Sequence, residues 1–355
     1  MNPYASLPVR SFWRPAVAEP EPQAITEVWT PKFGIGQDDP VLTAGSCFAA
    51  RLGPALLEHG MDWYDAEPAP PGLTAEERRA RHYGEFSFRT GNIYTAAVLR
   101  QWLSWALGRS APPEETWQED GRHHDPYRPA VEPGGHAFAE EVHAARAATL
   151  AAIRTALAEA SCLLFTLGLT ETWRSAKGPG RGTAYPSCPG TVRGTFDAQR
   201  HVLHRPSFAE VHEDLSEAVA LAREANPALR VLLTVSPQPL TATATGEHAL
   251  TANGHTKSLL RAVAGQLARE LDHVDYFPAY ELITGVPFRS GFYAPNLRAV
   301  TPEGVAFVVR HFLAGLASRD RAAPPAPTEA RPGPSPSAGG GDVCDDAVLD
   351  YWSPR

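Results

Sequence analysis

Cysteine is scarce in this 355-residue chain: there are four, Cys47, Cys162, Cys188 and Cys344, and no two form a Cys-x-x-Cys pair. That spacing argues against a zinc site and offers no disulfide framework. No stretch of 18 apolar residues is present, and the two Arg before position 15 precede no apolar core, so neither a membrane span nor a secretion signal is expected. No block of Lys or Arg stands out, and the net charge is −8, which leaves nucleic-acid and membrane-surface binding without electrostatic support. The expectation is a cytoplasmic protein without metal or cofactor. His123-His124-Asp125 could be imagined as metal ligands, but a polar loop before Pro126 accounts for them more simply.

What is present is organised around Pro40 to Ala50. Val41 to Ala44 reads as a short buried strand and Gly45 as a sharp turn, with a helix entered at Ser46-Cys47 and ending near Gly60. Unpaired N–H groups and the positive end of a helix dipole would favour a thiolate there, predicting a lowered thiol pKa for Cys47. A Ser cap followed by a buried Cys is the simpler reading of those three residues alone.

Further along, Met61 to Tyr64 reads as a second short strand, and Thr74 to Glu77 as a helix start with a capping box. The aromatic and polar stretch from His82 to Thr95 suggests a pocket wall in which Gly91 and Asn92 present donors, with Thr95 or Asn92 capping the next helix. Ala111 to Gly135 reads as a long irregular connection. A helix over Phe138 to Ala160 leads into the apolar run Cys162 to Leu167, closed by Gly168 to Trp173 and a Gly/Pro-rich loop. A helix capped by Ser207, a strand over Leu229 to Val235, a helix over Thr256 to Leu271, a strand over Val274 to Phe277 and a helix opened by Pro302 complete the pattern.

Strands that alternate with helices predict a three-layer α/β/α fold with a mainly parallel sheet. The expected division is an extended N-terminal arm over 1–34, one α/β domain over 35–317, and a flexible Pro/Gly-rich tail over 318–355. In such sheets ligands bind outside the carboxyl ends of the strands. Here those ends are Gly45-Ser46-Cys47, Gly168 to Glu171, Ser236-Pro237 and Pro278 to Tyr280.

Gly45-Ser46-Cys47-Phe48-Ala49 resembles the signature of the GSCFA-domain family, itself related to SGNH/GDSL hydrolases and acyltransferases. The likeness continues through Gly84 to Ser87 and Arg89 to Thr95, Phe165 to Trp173, Leu233 to Thr243, Thr256 to Arg261, and Tyr276 to Pro278. It implies an SGNH-like fold with Cys47 in the nucleophile position, or Ser46 if the register slips by one. It further implies Gly91 and Thr170 in the oxyanion hole, with Glu171 where the family of hydrolases has Asp. The SGNH Asp-x-x-His pair is missing, since Asn296-Leu297-Arg298-Ala299 occupies that loop.

A general base must therefore come from elsewhere, and His248, in the loop after the third strand, is the first choice, ahead of His204 and His255. Lys257 and Arg298 are candidates for binding an anionic group or lowering the thiol pKa. Asn92, Trp173, Ser236 and Tyr280 complete the expected substrate-binding set. The function expected is acyl transfer or hydrolysis on a small-molecule or carrier-bound thioester or ester. The alternatives are a non-catalytic SGNH-like binding protein, or a scaffold in a biosynthetic complex.

Overall fold

The computed structural model describes residues 2–319; the segment expected as a flexible tail lies outside them from residue 320 onward. The strands are β1 (Val41–Gly45), β2 (Trp117–Glu119), β3 (Arg122–His124), β4 (Cys162–Leu167), β5 (Thr172–Ser175), β6 (Ala184–Tyr185), β7 (His201–His204), β8 (Arg230–Val235) and β9 (Val274–Tyr276). The α-helices are α1 (Ala49–Glu58), α2 (Ala75–Ala80), α3 (Ala96–Ala106), α4 (Ala139–Glu159), α5 (Phe208–Ala225), α6 (Ala249–Glu270), α7 (Ala279–Thr284) and α8 (Pro302–Arg319).

The central sheet is parallel throughout, in the order β1-β4-β8-β9. Its side chains alternate between two cores, as period-2 strands require. Leu42, Leu163, Phe165, Val231 and Leu233 face α3, α4, α5 and α6. Val41, Cys162, Leu164 and Leu232 face α1, α7, α8 and the N-terminal arm, whose Trp29, Phe33 and Ile35 are buried there. The arm begins with short helical turns over residues 3–24 before it extends.

The expected second strand contracts to one parallel bridge, Trp63 to Val41, on the side of β1 away from β4. Val41 donates to Asp62 and accepts from Tyr64 there, while the Trp63 indole donates to the buried Thr43 hydroxyl. The chain thus leaves β1 in one direction and returns to the sheet on the other side at β4. Such a reversal opens a crevice at the strand ends. Gly45 and Gly168 both lie at this point.

Two small antiparallel sheets flank the main one: the β2-β3 hairpin, and β5 paired with both β6 and β7. They fall in the irregular stretch expected over 111–135 and in the Gly/Pro-rich loop expected after Trp173 to about Gly194, with β7 beyond it. The hairpin turns at Asp120-Gly121, both at positive φ. Behind it Asp125 is buried between Arg146, at 2.9 Å, and Arg128, at 3.1 Å. Desolvation pushes its carboxyl up, but the two guanidinium groups prevail and hold it below the usual range. Arg128 also donates to the carbonyl of Arg89, so this ion cluster ties down the loop that carries Gly91 and Asn92. His123-His124-Asp125 is therefore not a free ligand set, and among the described residues no group of three His, Cys, Asp or Glu side chains could hold a metal.

Among the glycines the closest approach to another backbone segment is at Gly45, whose φ is +137°. A Cβ there would stand 2.4 Å from the Thr166 carbonyl oxygen, so only glycine lets β1 end flush against β4. We expect Gly45→Ala to lower the unfolding free energy by about 3 kcal/mol or more, from backbone strain and overpacking together. Gly84→Ala, at φ +72° with open space around it, should cost about 1 kcal/mol. Urea unfolding followed by tryptophan fluorescence reads both; equal losses would refute the close-packing account.

Candidate active site

The turn after β1 separates its two nucleophile candidates. Ser46 is 2% exposed, its amide bonds to Thr166, and its hydroxyl is buried without a partner. Cys47 is half-buried and its thiol donates to Gln238 Oε1. Gln238 reaches it from the turn after β8, where its amide donates to the Ser236 hydroxyl. Ser236, 1% exposed, thus shapes the turn rather than facing a ligand. Helix α1 begins at Ala49, after a turn, and not at Ser46-Cys47.

The charged groups that weigh most on Cys47 are Arg298, Lys257 and Arg51. Burial raises the thiol pKa, and these cations offset it only in part, so Cys47 stays a thiol near neutral pH. The lowered pKa expected from the helix start is corrected here, because desolvation outweighs the cations and the backbone hydrogen bond at Cys47.

Lys257 lies two turns into α6 and is 1% exposed. Its Nζ donates to the Gly168 carbonyl at the end of β4, 2.8 Å away. Burial lowers its pKa from the ordinary lysine value to about 7, against a raising influence from Cys47. An amine that is partly unprotonated at neutral pH stands in electrostatic reach of the thiol. Tyr94 shares the site: burial and the Cys47 charge push its phenol up to about 12. Its carbonyl accepts from both Gly168 and Leu169, and Ile93 donates to Gly45. The loop with Gly91, at φ +69°, and Asn92, whose Oδ1 is buried without a partner, is thereby laid across both strand ends.

His248 is not brought to the thiol. It is exposed at the N-cap of α6, where its ring accepts from the Leu250 amide. His204 pairs with Glu210, and His255 lines a small recess near Thr170. Thr170 shares a hydrogen bond with Thr256, 3.2 Å away, while Glu171 holds the Thr243-Ala244 loop, a structural task. Trp173 is in β5 with its ring edge-on to Phe196. Tyr280 borders a groove of about 450 Å³ that Lys257, Arg261 and Arg269 also line. A cavity of about 1020 Å³ between α3 and α5 is not lined by Cys47; its Arg100 and Arg109 pair with Glu217 and Glu224.

Gln238, Tyr94 and Arg51 were not singled out from the sequence. Only Gln238 carried a signal, since it stands between two prolines at a strand end.

A model of the GSCFA family matches residues 40–312. The chain belongs to the GSCFA family. The matched span runs from the residue before β1 into α8, so it takes in every strand of the central sheet and the whole Cys47 site of this GSCFA protein. No curated protein and no solved structure matches it. Among its described residues no helix is long and apolar enough to cross a membrane.

Replacing His248 with Ala should remove a helix cap and lower stability by about 1 kcal/mol. It should leave the alkylation rate of Cys47 by iodoacetamide unchanged, read by mass spectrometry of the Cys47 peptide. A slowed alkylation would return His248 to the thiol.

Proposed function

We propose that this GSCFA protein catalyses acyl transfer or acyl hydrolysis, with Cys47 as nucleophile and Lys257 as its general base. The observation that carries the reading is one arrangement: a partly buried thiol at the topological switch point, with a buried lysine amine in electrostatic reach whose pKa falls to about 7. The pairing of a hydroxyl or thiol nucleophile with lysine is a known variant of the serine–histidine device. It removes the need for the absent Asp-x-x-His.

In the proposed reaction, Cys47 Sγ gives its proton to Lys257 Nζ and attacks the carbonyl carbon of a thioester or ester. The carbonyl π pair moves onto oxygen. When it returns, the bond to the leaving thiol or alcohol breaks, and that group takes the proton from Lys257. An alcohol, an amine or water then gives its proton to Lys257, attacks the acyl-cysteine, and releases the Cys47 thiol. The oxyanion needs a donor, and the Asn92 amide, on the loop laid across both strand ends, is the group best suited to supply it. Thr170, engaged with Thr256, is less suited than its sequence position implied.

A relation to SGNH enzymes is part of the same proposal. It is supported by a nucleophile after the first strand and by a Gly-Asn loop across the next strand end. A binding protein without chemistry is favoured by one observation, the raised resting pKa of the thiol.

The test is a panel of small-molecule thioesters followed by intact-protein mass spectrometry. An acyl adduct on Cys47 is expected, absent in Cys47→Ala. Lys257→Met, which keeps the length and removes the amine, should slow its formation by about 10² to 10⁴. Undiminished adduct in Cys47→Ala would first redirect attention to Ser46; no adduct with any donor would favour the binding protein.

A further inference from the structure

The loop that lacks the SGNH acid and base is built to hold a guanidinium in place. It is pinned on both sides of Cys47. On one side the Tyr293 hydroxyl donates to the Pro237 carbonyl, next to Gln238, at 2.6 Å. On the other side Arg51, one turn past Cys47, donates to the Val300 carbonyl. Tyr293 and Val300 form a β-bridge that closes the loop at its base.

Inside the loop Asn296 Oδ1 accepts from the amides of Arg298, at 3.0 Å, and Ala299, at 2.9 Å. Ala294 donates to Ala299, Leu297 donates to Ala294, and Leu297 takes a positive φ of +52°. Arg298 is thus carried on a compact, internally bonded turn within electrostatic reach of the thiol. Its Nε is buried without a partner, and no ion pair is formed by it among the described residues. The strongest charges around Cys47 are all positive. In a chain of net charge −8, an uncompensated cation held in a crevice is a recognition element.

We infer that Arg298 and its loop form a subsite for a carboxylate carried by the substrate, beside the carbonyl that Cys47 attacks. The inference deepens the acyl-transfer reading and rests on it for the position of that carbonyl. Charge matching favours a carboxylate over a phosphate dianion. Among the described residues Arg298 is the cation around the thiol with no protein acceptor, because Arg51 is spent on Val300 and Lys257 on Gly168. The planar fork of a guanidinium suits two carboxylate oxygens.

The probe pair is iodoacetate and iodoacetamide, which differ by one carboxylate. In both, thiolate sulfur bonds to the CH₂ carbon and iodide leaves. The ratio of their rates at Cys47, divided by the same ratio for free glutathione, should be about tenfold or more in the wild type, within the range of electrostatic focusing. Arg298→Gln should bring it near one, and Arg298→Lys should restore part of it. Succinate should protect Cys47 from iodoacetamide better than inorganic phosphate at equal ionic strength. A succinyl thioester should outrun a butyryl thioester if the carboxylate belongs to the acyl donor.

A normalised ratio near one in the wild type, or one unmoved by Arg298→Gln, overturns the subsite. Stronger protection by phosphate overturns the choice of carboxylate. If Cys47 resists both reagents, the nucleophile reading falls, and the subsite is judged by melting temperature. A rise with succinate that Arg298→Gln abolishes supports it, and no rise overturns it.

Discussion

The hydrogen bond from Lys257 Nζ to the Gly168 carbonyl joins the fold to the chemistry. A lysine this deeply buried would be costly as an ammonium ion, so burial moves it toward the neutral amine. The carbonyl that receives it is available because β4 ends at the switch point, where Gly168 and Leu169 turn their amides to Tyr94. Gly168 in turn packs close: a Cβ there would stand 2.9 Å from the Ser46 Cβ. The glycines at both strand ends, the buried amine and the thiol are therefore parts of one constraint. Moving β1 against β4 would displace all of them.

Two opposing effects set the resting state of Cys47. Burial favours the thiol; Arg298, Lys257 and Arg51 favour the thiolate, and burial prevails. In the proposed reaction a thiol kept protonated at rest needs an acceptor when substrate arrives, and Lys257 is the group assigned to that role. Arg298 stays cationic throughout. It cannot replace the missing base, but it can hold an anion.

Much of the fold was legible because local chemistry and tertiary packing agree. The Thr74 and Ser207 capping boxes, the Thr95 cap and Pro302 all mark helix starts where expected. The apolar runs at 162–167 and 229–235 became the two middle strands, buried throughout except for Arg230 and without regular polar alternation. What escaped was decided by partners far away in sequence. Helix α6 starts seven residues before its expected beginning, because Ala249 to His255 has little apolar periodicity and only Ala252 there is buried. The β5-β6-β7 sheet is assembled from short segments in a Gly/Pro-rich stretch. The hairpin at Asp120-Gly121 did carry a turn signal. At the site, Cys47, Lys257 and Arg298 were visible as residues. The role expected of His248 was not matched by its place, because proximity to a strand end along the chain does not fix where a helix cap points.

The most direct measurement is the titration of Lys257 by NMR, with isotope-labelled lysine side chains and Lys257→Met to assign the signal. The account predicts a midpoint near 7, well below the ordinary lysine value. A midpoint near that of an exposed lysine would contradict the neutral amine on which the proposed chemistry depends.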